Sequence, residues 1–528
     1  MSASDSTAPS QRWPTAGLNV RAISAERWML LGLITLAAMI RIVIINNQSF
    51  WADEALTAYE ARLPFGAMVN TVLHVETTPP LYFVLIWLWA KLFGTSEIAL
   101  RSISAIAGVV LVPITYAAAR ELVSRWAGLL AAALVAVNPF MVWYSQEARS
   151  YMLVATLAGA SFLWFTRALR DPSRRNLAWW AACSSAALMT HFFAGFVVLP
   201  EALWLLWTLR TWEVKVAVAV VGLVQAAMLP FAVFDTNAAH GTSWIGSIPI
   251  LNRLSMAVSE WGGANIYRVV NVLQGLLIGA ALILLGVIVL LRGSDARTRA
   301  AAKIAGGIVV FAFAAPLVLG LAGYDYFLSR NMIPAFVPVA VLVAAVCVAP
   351  RARVLGGALA AALLVAFVLL TIDVQTHAYL QRANWRAVAH SLGPAQQPRA
   401  ILVSGGTAAQ ALKIYFPGVH WVQSRNRPVL VSEIDIIGAR KHMVLAGKGT
   451  RVTGSGRLVP KIGRSLPRTT APPGATLLTR YRFQAWVVAR FQLSKPMLLS
   501  PARLVAIAPR YYIQTPRALL VMTQPRAG

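Results

Sequence analysis

Residues 29–45 read "MLLGLITLAAMIRIVII", and residues 46–62 follow at once as "NNQSFWADEALTAYEAR". The first stretch is apolar except for Arg41 and is long enough, at about 17 to 22 residues, to cross a bilayer as a helix. The second places two adjacent carboxylates, Asp53 and Glu54, just past that helix end, in a chain with few acids. They are either a solvated turn or part of a site that needs a carboxylate at the membrane surface.

The same apolar pattern recurs along the chain. Of 528 residues, 58% are hydrophobic and only 12% are charged, far too apolar a balance for a soluble domain. Apolar segments lie at roughly 28–45, 98–119, 126–143, 151–169, 177–193, 194–209, 213–234, 268–292, 303–323, 331–349 and 353–372, which predicts eleven transmembrane helices. The loops "RELVSR" (120–125), "RALRDPSRRN" (167–176), "LRTWEVK" (209–215), "RGSDARTRAAAK" (292–303) and "PRAR" (350–353) are all basic. They share one side if the eleven segments alternate, and the excess of Lys and Arg makes that side cytoplasmic. A further run, "PPLYFVLIWLWAKLF" (79–93), is only about 15 residues long, opens on two prolines and carries Lys91. As a full crossing it would invert the charge bias, so it reads as a re-entrant or interface-lying helix.

This topology gathers the chemically rich segments on the extracytoplasmic face. They are the first external loop (46–97), "YSQEARSY" (144–151), "THFFAG" (190–195), "YDYFLSRN" (324–331), and a longer loop at 235–267 that carries His240 and Trp244. Residues 374–528 lie on the same side. There "NWRAVAHSL" (384–392) and "TAAQALKIYF" (407–416) read as helices, while "RAILVSG" (399–405), "HMVLAG" (442–447), "YRFQAWVVARFQL" (481–493) and "ALLVMTQ" (518–524) read as strands. The alternation predicts a small C-terminal extracytoplasmic α/β domain. It holds 22 Lys+Arg against two acids, Glu433 and Asp435, a net +20. The Gly/Pro/Arg-rich stretch 448–474 reads as a loop. The expected organisation is a disordered cytoplasmic N-terminus (1–27) without a signal peptide, a transmembrane domain (28–373) and the basic α/β domain (374–528).

The formal net charge of +28 would suggest nucleic acid in a soluble protein. No nucleic-acid motif accompanies it, so membrane lipids or an anionic glycan are the expected partners. Two cysteines, Cys183 and Cys347, both in apolar runs, exclude a disulfide framework and a Cys-based metal site.

The ordered series "WADEALTAYE", "HVETTPPLYFVLIWLWAKLFGTSEIALRSISAIAGVVLVPITYAAARELV", "NPFMVWYSQEARSYML", "YFLSRNMIPAFVP" and "NWRAVAHSL" resembles the C-type membrane glycosyltransferases, the superfamily of the protein O-mannosyltransferases and lipid A aminoarabinose transferases. The resemblance implies a transferase that takes a sugar from a polyprenyl-phosphate donor and passes it to a glycan, lipid or protein acceptor. It places the catalytic carboxylate in the pair Asp53 and Glu54, Asp53 first. An inverting displacement needs one base for the acceptor hydroxyl proton. The lipid-phosphate leaving group calls for fixed cations, for which Arg101, Arg149 and Arg330 are the candidates, since a guanidinium fork matches phosphate oxygens.

Other readings of these residues stay open. The two acids also suit the first turn of a helix over "ALTAYEA", and the arginines could be interface anchors. Glu147 could pair with Arg149 or orient the donor. His74 and Glu76, with His191, could line the site or ligate a divalent metal, although no cofactor is demanded. Tyr82, Gln146 and Tyr324 complete the substrate-lining candidates. The competing functions are a transporter or flippase of lipid-linked sugars, which would be expected to show internal symmetry and midplane charges, and a scaffold that binds cell-wall polymer.

Overall fold

The computed structural model describes residues 20–76, 78–231, 243–262, 272–377, 380–404, 407–417, 420–421, 428–439, 451–452, 458–459, 471–472, 474–483, 486–507 and 519–524. The protein is an α-helical polytopic membrane protein with a small C-terminal α/β domain. Each of the eleven apolar segments is mostly helical over its described residues. Among the described residues seven helices are long and apolar enough to cross a membrane, or eight if the bent pair Arg125–Val137 and Pro139–Ser145 is one span. Leu81–Phe93, at 13 residues, is too short to be counted among them.

The bend in that pair has a sequence cause. Pro139 lacks an N–H and cannot continue the helix that precedes it, and Asn138 caps the new start by accepting from the Phe140 and Met141 N–H groups. The carbonyls left open at the break are met from another helix, α1 (Val20–Ile42). Its Arg41 is fully buried and donates to the Val135 and Ala136 carbonyls at 3.1 and 2.9 Å and to Ser145 Oγ at 2.9 Å. A buried guanidinium without an acid is tolerated here because carbonyl dipoles surround it. Gly108 makes room for the arrangement: a Cβ there would lie 2.2 Å from Ser145 Oγ.

Between α1 and the long helix α5 (Glu97–Leu122) run three short helices, α2 (Ala52–Glu60), α3 (Phe65–Val75) and α4 (Leu81–Phe93). Phe50, Ala58, Met68, Val72, Tyr82 and Phe83 form a shared core beneath them. Ser96 caps α5 through Ala99 N–H. The segment read as an interface-lying helix is therefore one of three short helices packed into the same layer.

The C-terminal domain is a six-stranded sheet in the order β2-β8-β1-β3-β7-β6, with β1 at Arg399–Ser404, β2 at His420–Trp421, β3 at Val429–Ala439, β6 at Ala475–Arg482, β7 at Trp486–Leu499 and β8 at Leu519–Gln524. Two further short strands, β4 (Arg451–Val452) and β5 (Leu458–Val459), pair within the stretch read as loop. Strand β1 runs parallel to β3, and the other pairs are antiparallel. Period-2 alternation sends Ala400 and Leu402 to one face and Ile401 and Val403 to the other; both faces are buried, which makes the run continuously apolar. The segment 481–493, expected as one strand, instead holds the end of β6 and the start of β7. Strand β3 was not expected, and residues 442–447 lie outside the described residues.

Candidate active site

The first turn of α2 carries both acids of the opening stretch, and the two are used differently. Glu54 is fully buried. Arg101, four residues into α5, grips it with two parallel bonds, Nε to Oε1 and Nη2 to Oε2, both 2.7 Å. The Ala148 N–H adds a bond at 2.9 Å and the Trp51 N–H one at 3.3 Å, the latter being half of a capping box. Burial alone would raise the Glu54 carboxyl, but the charge and hydrogen bonds of Arg101, with Arg382 and the Ala148 N–H, hold it below the ordinary carboxylate value.

Arg101 is saturated in turn. Its remaining N–H groups donate to the Ile45, Gln48 and Ser49 carbonyls at 3.0, 2.6 and 3.1 Å. All five donors of the guanidinium are thus engaged, so a phosphate at Arg101 would have to displace one of these bonds.

Asp53 is half-buried, and among the described residues no group hydrogen-bonds to its carboxylate. Burial raises the carboxyl above its ordinary value; the charges of Arg149 and Arg330 pull it down, while Glu76 and Glu54 push it up. Arg149 leaves the loop that precedes the helix Tyr151–Arg170 and holds Glu76 with a second bidentate pair, 2.7 and 2.8 Å, while reaching Thr57 Oγ1 at 3.2 Å. Arg330 lies with its guanidinium 5.6 Å from the centre of the Tyr151 ring. Asp53 therefore lies in the field of two cations, while its neighbour Glu54 is closed off by Arg101.

The remaining candidates divide between site and frame. Glu147 is buried, its Oε2 2.7 Å from Arg382, and its carboxyl is pushed up to about 6 by burial, against the pull of Arg382 and with the push of Glu54 and Asp53. His191 is buried between the Tyr151 and Phe193 rings, accepts from the Phe193 N–H at 3.3 Å, and is held neutral, its value lowered to about 3 by burial and the charges of Arg149 and Arg330. Tyr82 is buried in the core beneath α2, within the field of Arg149. Gln146 belongs to the frame, since its amide donates to the Ile40 and Arg41 carbonyls at the end of α1 and accepts from Gln375. Tyr324 is exposed and connects to His191 through a chain of ring contacts by way of Tyr326 and Phe193.

The possible metal set does not converge. His74 is exposed with Nδ1 2.8 Å from the Asn70 carbonyl oxygen, Glu76 has both oxygens on Arg149, and among the described residues no three His, Cys, Asp or Glu side chains are grouped as metal ligands. His240 lies outside the described residues, as does the side chain of Trp244.

Two charged residues at the site had not been singled out. Glu60 sits seven positions after Asp53 on α2, two helical turns on, fully buried near Glu76; burial first, and then the Glu76 charge, push it up to about 9, against the pull of Arg149. That spacing on one helix was the available signal. Arg382, in the segment entering the C-terminal domain, closes the Glu147 side and stacks 4.1 Å from the Trp143 ring centre; nothing in its local sequence announces that role.

An apolar cavity of about 790 Å³ opens between Gly195–Thr208, Trp212–Ala227 and Ala296–Leu321. It is lined by Leu188, Phe192, Phe196, Val221, Phe311 and Val318 among others, and Phe192 adjoins His191 in sequence. The cavity therefore reaches the residue next to the Asp53 cluster.

Residues 77–234 match the model of the family described as dolichyl-phosphate-mannose-protein mannosyltransferase. No curated protein matches the chain by sequence. Among solved structures, ArnT from Cupriavidus metallidurans, crystallised with undecaprenyl phosphate, shares the fold with a TM-score of 0.52 at 12% identity, over 88% of this chain and 98% of that one. The archaeal oligosaccharyltransferase AglB from Archaeoglobus fulgidus gives a TM-score of 0.40 at 13% identity over 70% and 58% of the two chains. The arabinosyltransferase EmbB from Mycobacterium smegmatis gives 0.32 at 13% identity over 98% and 66%. The resemblance read from the ordered motifs is thus met both by a family model and by a shared fold.

Proposed function

We propose that this chain is an integral-membrane glycosyltransferase that moves a sugar from a polyprenyl-phosphate donor to a hydroxyl acceptor on the extracytoplasmic side. The observation that carries the reading is the contrast at α2: Asp53 keeps an unengaged carboxylate opposite Arg149 and Arg330, while Glu54 and Arg101 neutralise each other. Asp53 takes the proton of the acceptor hydroxyl as its oxygen attacks the anomeric carbon. The bond from that carbon to the phosphate oxygen breaks, the configuration inverts, and polyprenyl phosphate leaves with its negative charge facing Arg149 and Arg330. Glu54 holds the helix start rather than taking part in proton transfer. The apolar cavity beside His191 suits an isoprenoid chain, and the undecaprenyl phosphate bound in the ArnT crystals carries a chain of that class. A mannosyl donor is the first sugar to test, given the family matched over residues 77–234.

The test is to incubate the purified full-length protein, reconstituted with membranes holding candidate acceptors, with a panel of polyprenyl-phosphate sugars. Consumption of one donor with release of polyprenyl phosphate is expected, and Asp53→Asn should abolish it without changing membrane insertion. A wild-type protein that consumes none of the panel, or an Asp53→Asn variant with near-normal product, defeats the reading.

A further inference from the structure

The segment Gln48–Ala55 leads from α1 into the first turn of α2, and it is held from two sides. On one side Arg101 takes the Gln48 and Ser49 carbonyls. On the other side lies the C-terminal domain. Gln48 Oε1 accepts from the Arg382 N–H at 2.8 Å, Ser49 Oγ accepts from the Trp385 N–H at 2.9 Å and donates to the Ala383 carbonyl at 3.0 Å, and the Phe50 N–H donates to the Tyr415 hydroxyl at 2.6 Å. Ala55 is fully buried inside a hydrophobic cluster otherwise made by that domain, with Trp385, Val388, Ile401 and Leu412.

Tyr415 closes a circuit. It ends the helix Thr407–Tyr415, and its hydroxyl also donates to Glu97 Oε1 at 2.6 Å. Glu97 opens α5 one turn before Arg101, so the two share a helix face, and Arg386 reaches the same Glu97 oxygen at 2.7 Å. One hydroxyl thus ties the backbone just ahead of the acids to the helix whose arginine grips Glu54. Phe50 is 1% exposed, so water does not replace this acceptor if it is removed.

We propose that the C-terminal domain is a wall of the catalytic site, and that Tyr415 is its positioning residue for Asp53, acting through the Phe50 N–H and the first turn of α2. The inference rests on the transferase reading for its kinetic arm alone. Geometry at a reacting centre is unforgiving, since a shift of about 1 Å can cost about a hundredfold in rate. The domain therefore contributes to turnover without touching the sugar, and its attachment need not affect how tightly the donor binds.

The experiment uses the full-length protein in membrane vesicles with polyprenyl-phosphate mannose, reading release of polyprenyl phosphate together with amide hydrogen exchange. Tyr415→Phe should lower kcat by about tenfold or more with KM for the donor changed by no more than about twofold. Exchange should quicken in residues 48–60 while the sheet of the C-terminal domain keeps its protection. Arg386→Gln, at a half-exposed position, removes the second bond to Glu97 and should show the same pattern at a smaller size. Wild-type kcat in Tyr415→Phe, unchanged exchange at 48–60, or loosening spread evenly over the domain would each overturn the proposal. If wild-type protein consumes no polyprenyl-phosphate sugar, the transferase reading fails by itself, and the exchange arm still decides whether Tyr415 holds α2.

Discussion

Around α2 the charged side chains form two regions that differ in what their arginines hold. On one flank Arg101, Glu54 and the carbonyls of Ile45, Gln48 and Ser49 make a closed nest in which every guanidinium N–H has an acceptor. On the other, Arg149 and Arg330 face an Asp53 carboxylate to which no described group hydrogen-bonds. The same pairing of acid and arginine, at adjacent positions of α2, gives a closed joint on one flank and an open carboxylate in a cationic field on the other. What separates them is the carboxylate: that of Glu54 has its partners in place and nothing left to offer a ligand, whereas that of Asp53 is open, although Arg149 also holds Glu76.

Substitution on each flank should break that contrast in opposite ways. Asp53→Asn leaves the packing intact and removes the base, so turnover should fall by about 10²–10⁴-fold with the thermal midpoint within a degree or two of wild type; donor consumption and a melting curve check both halves. Arg101→Met should do the reverse. It strands Glu54 without a countercharge in a fully buried position, a change that costs about 3–5 kcal/mol, and the expected reading is a lower yield of folded protein and a lower melting temperature. Should Arg101→Met melt normally and lose only donor affinity, the closed nest would instead be a phosphate site. Arg149→Lys sits between these outcomes: it keeps the charge but loses the fork on Glu76, and kcat should fall more modestly, on the order of tenfold.

Much of this organisation is legible in the sequence, for physical reasons. Apolar runs of bilayer length, the short Leu81–Phe93 helix and the short, continuously apolar strand β1 follow from local pattern. The position of the acids follows from their neighbours. What periodicity does not encode is which arginine meets which acid. Glu54 and Arg101 are 47 positions apart, Glu147 and Arg382 are 235 apart, and Phe50 and Tyr415 are 365 apart. Arg101 was thus read as a phosphate ligand, whereas in the fold it is engaged by Glu54. Strand β3 was missed because "VLVSEIDIIGA" carries two acids inside an apolar run. Asp435 is buried against Arg399 and Arg490, and Glu433 also pairs with both, so the two acids serve as internal counter-ions of a basic domain.

The smallest expected effect concerns Glu60, which lies on α2 beside the Glu76–Arg149 pair. It is buried beside Glu76, whose two oxygens are already on Arg149. Two neighbouring carboxyls share the site most easily when one keeps its proton, and burial with the Glu76 charge places the Glu60 value at about 9. The unfolded chain would release that proton near the ordinary glutamate value. The folded state therefore binds one proton more across the interval between, and by linkage its stability falls as pH rises through that window. The contribution is complete below the ordinary value and gone once pH passes about 9. The melting temperature of the wild-type protein should accordingly decline toward alkaline pH by on the order of a few degrees. Glu60→Gln keeps the shape and has nothing to titrate, so its melting profile should be flatter over the same range. Parallel profiles for the two proteins would mean that Glu60 is already ionised at neutral pH, and α2 would then carry one more negative charge than this geometry assigns to it.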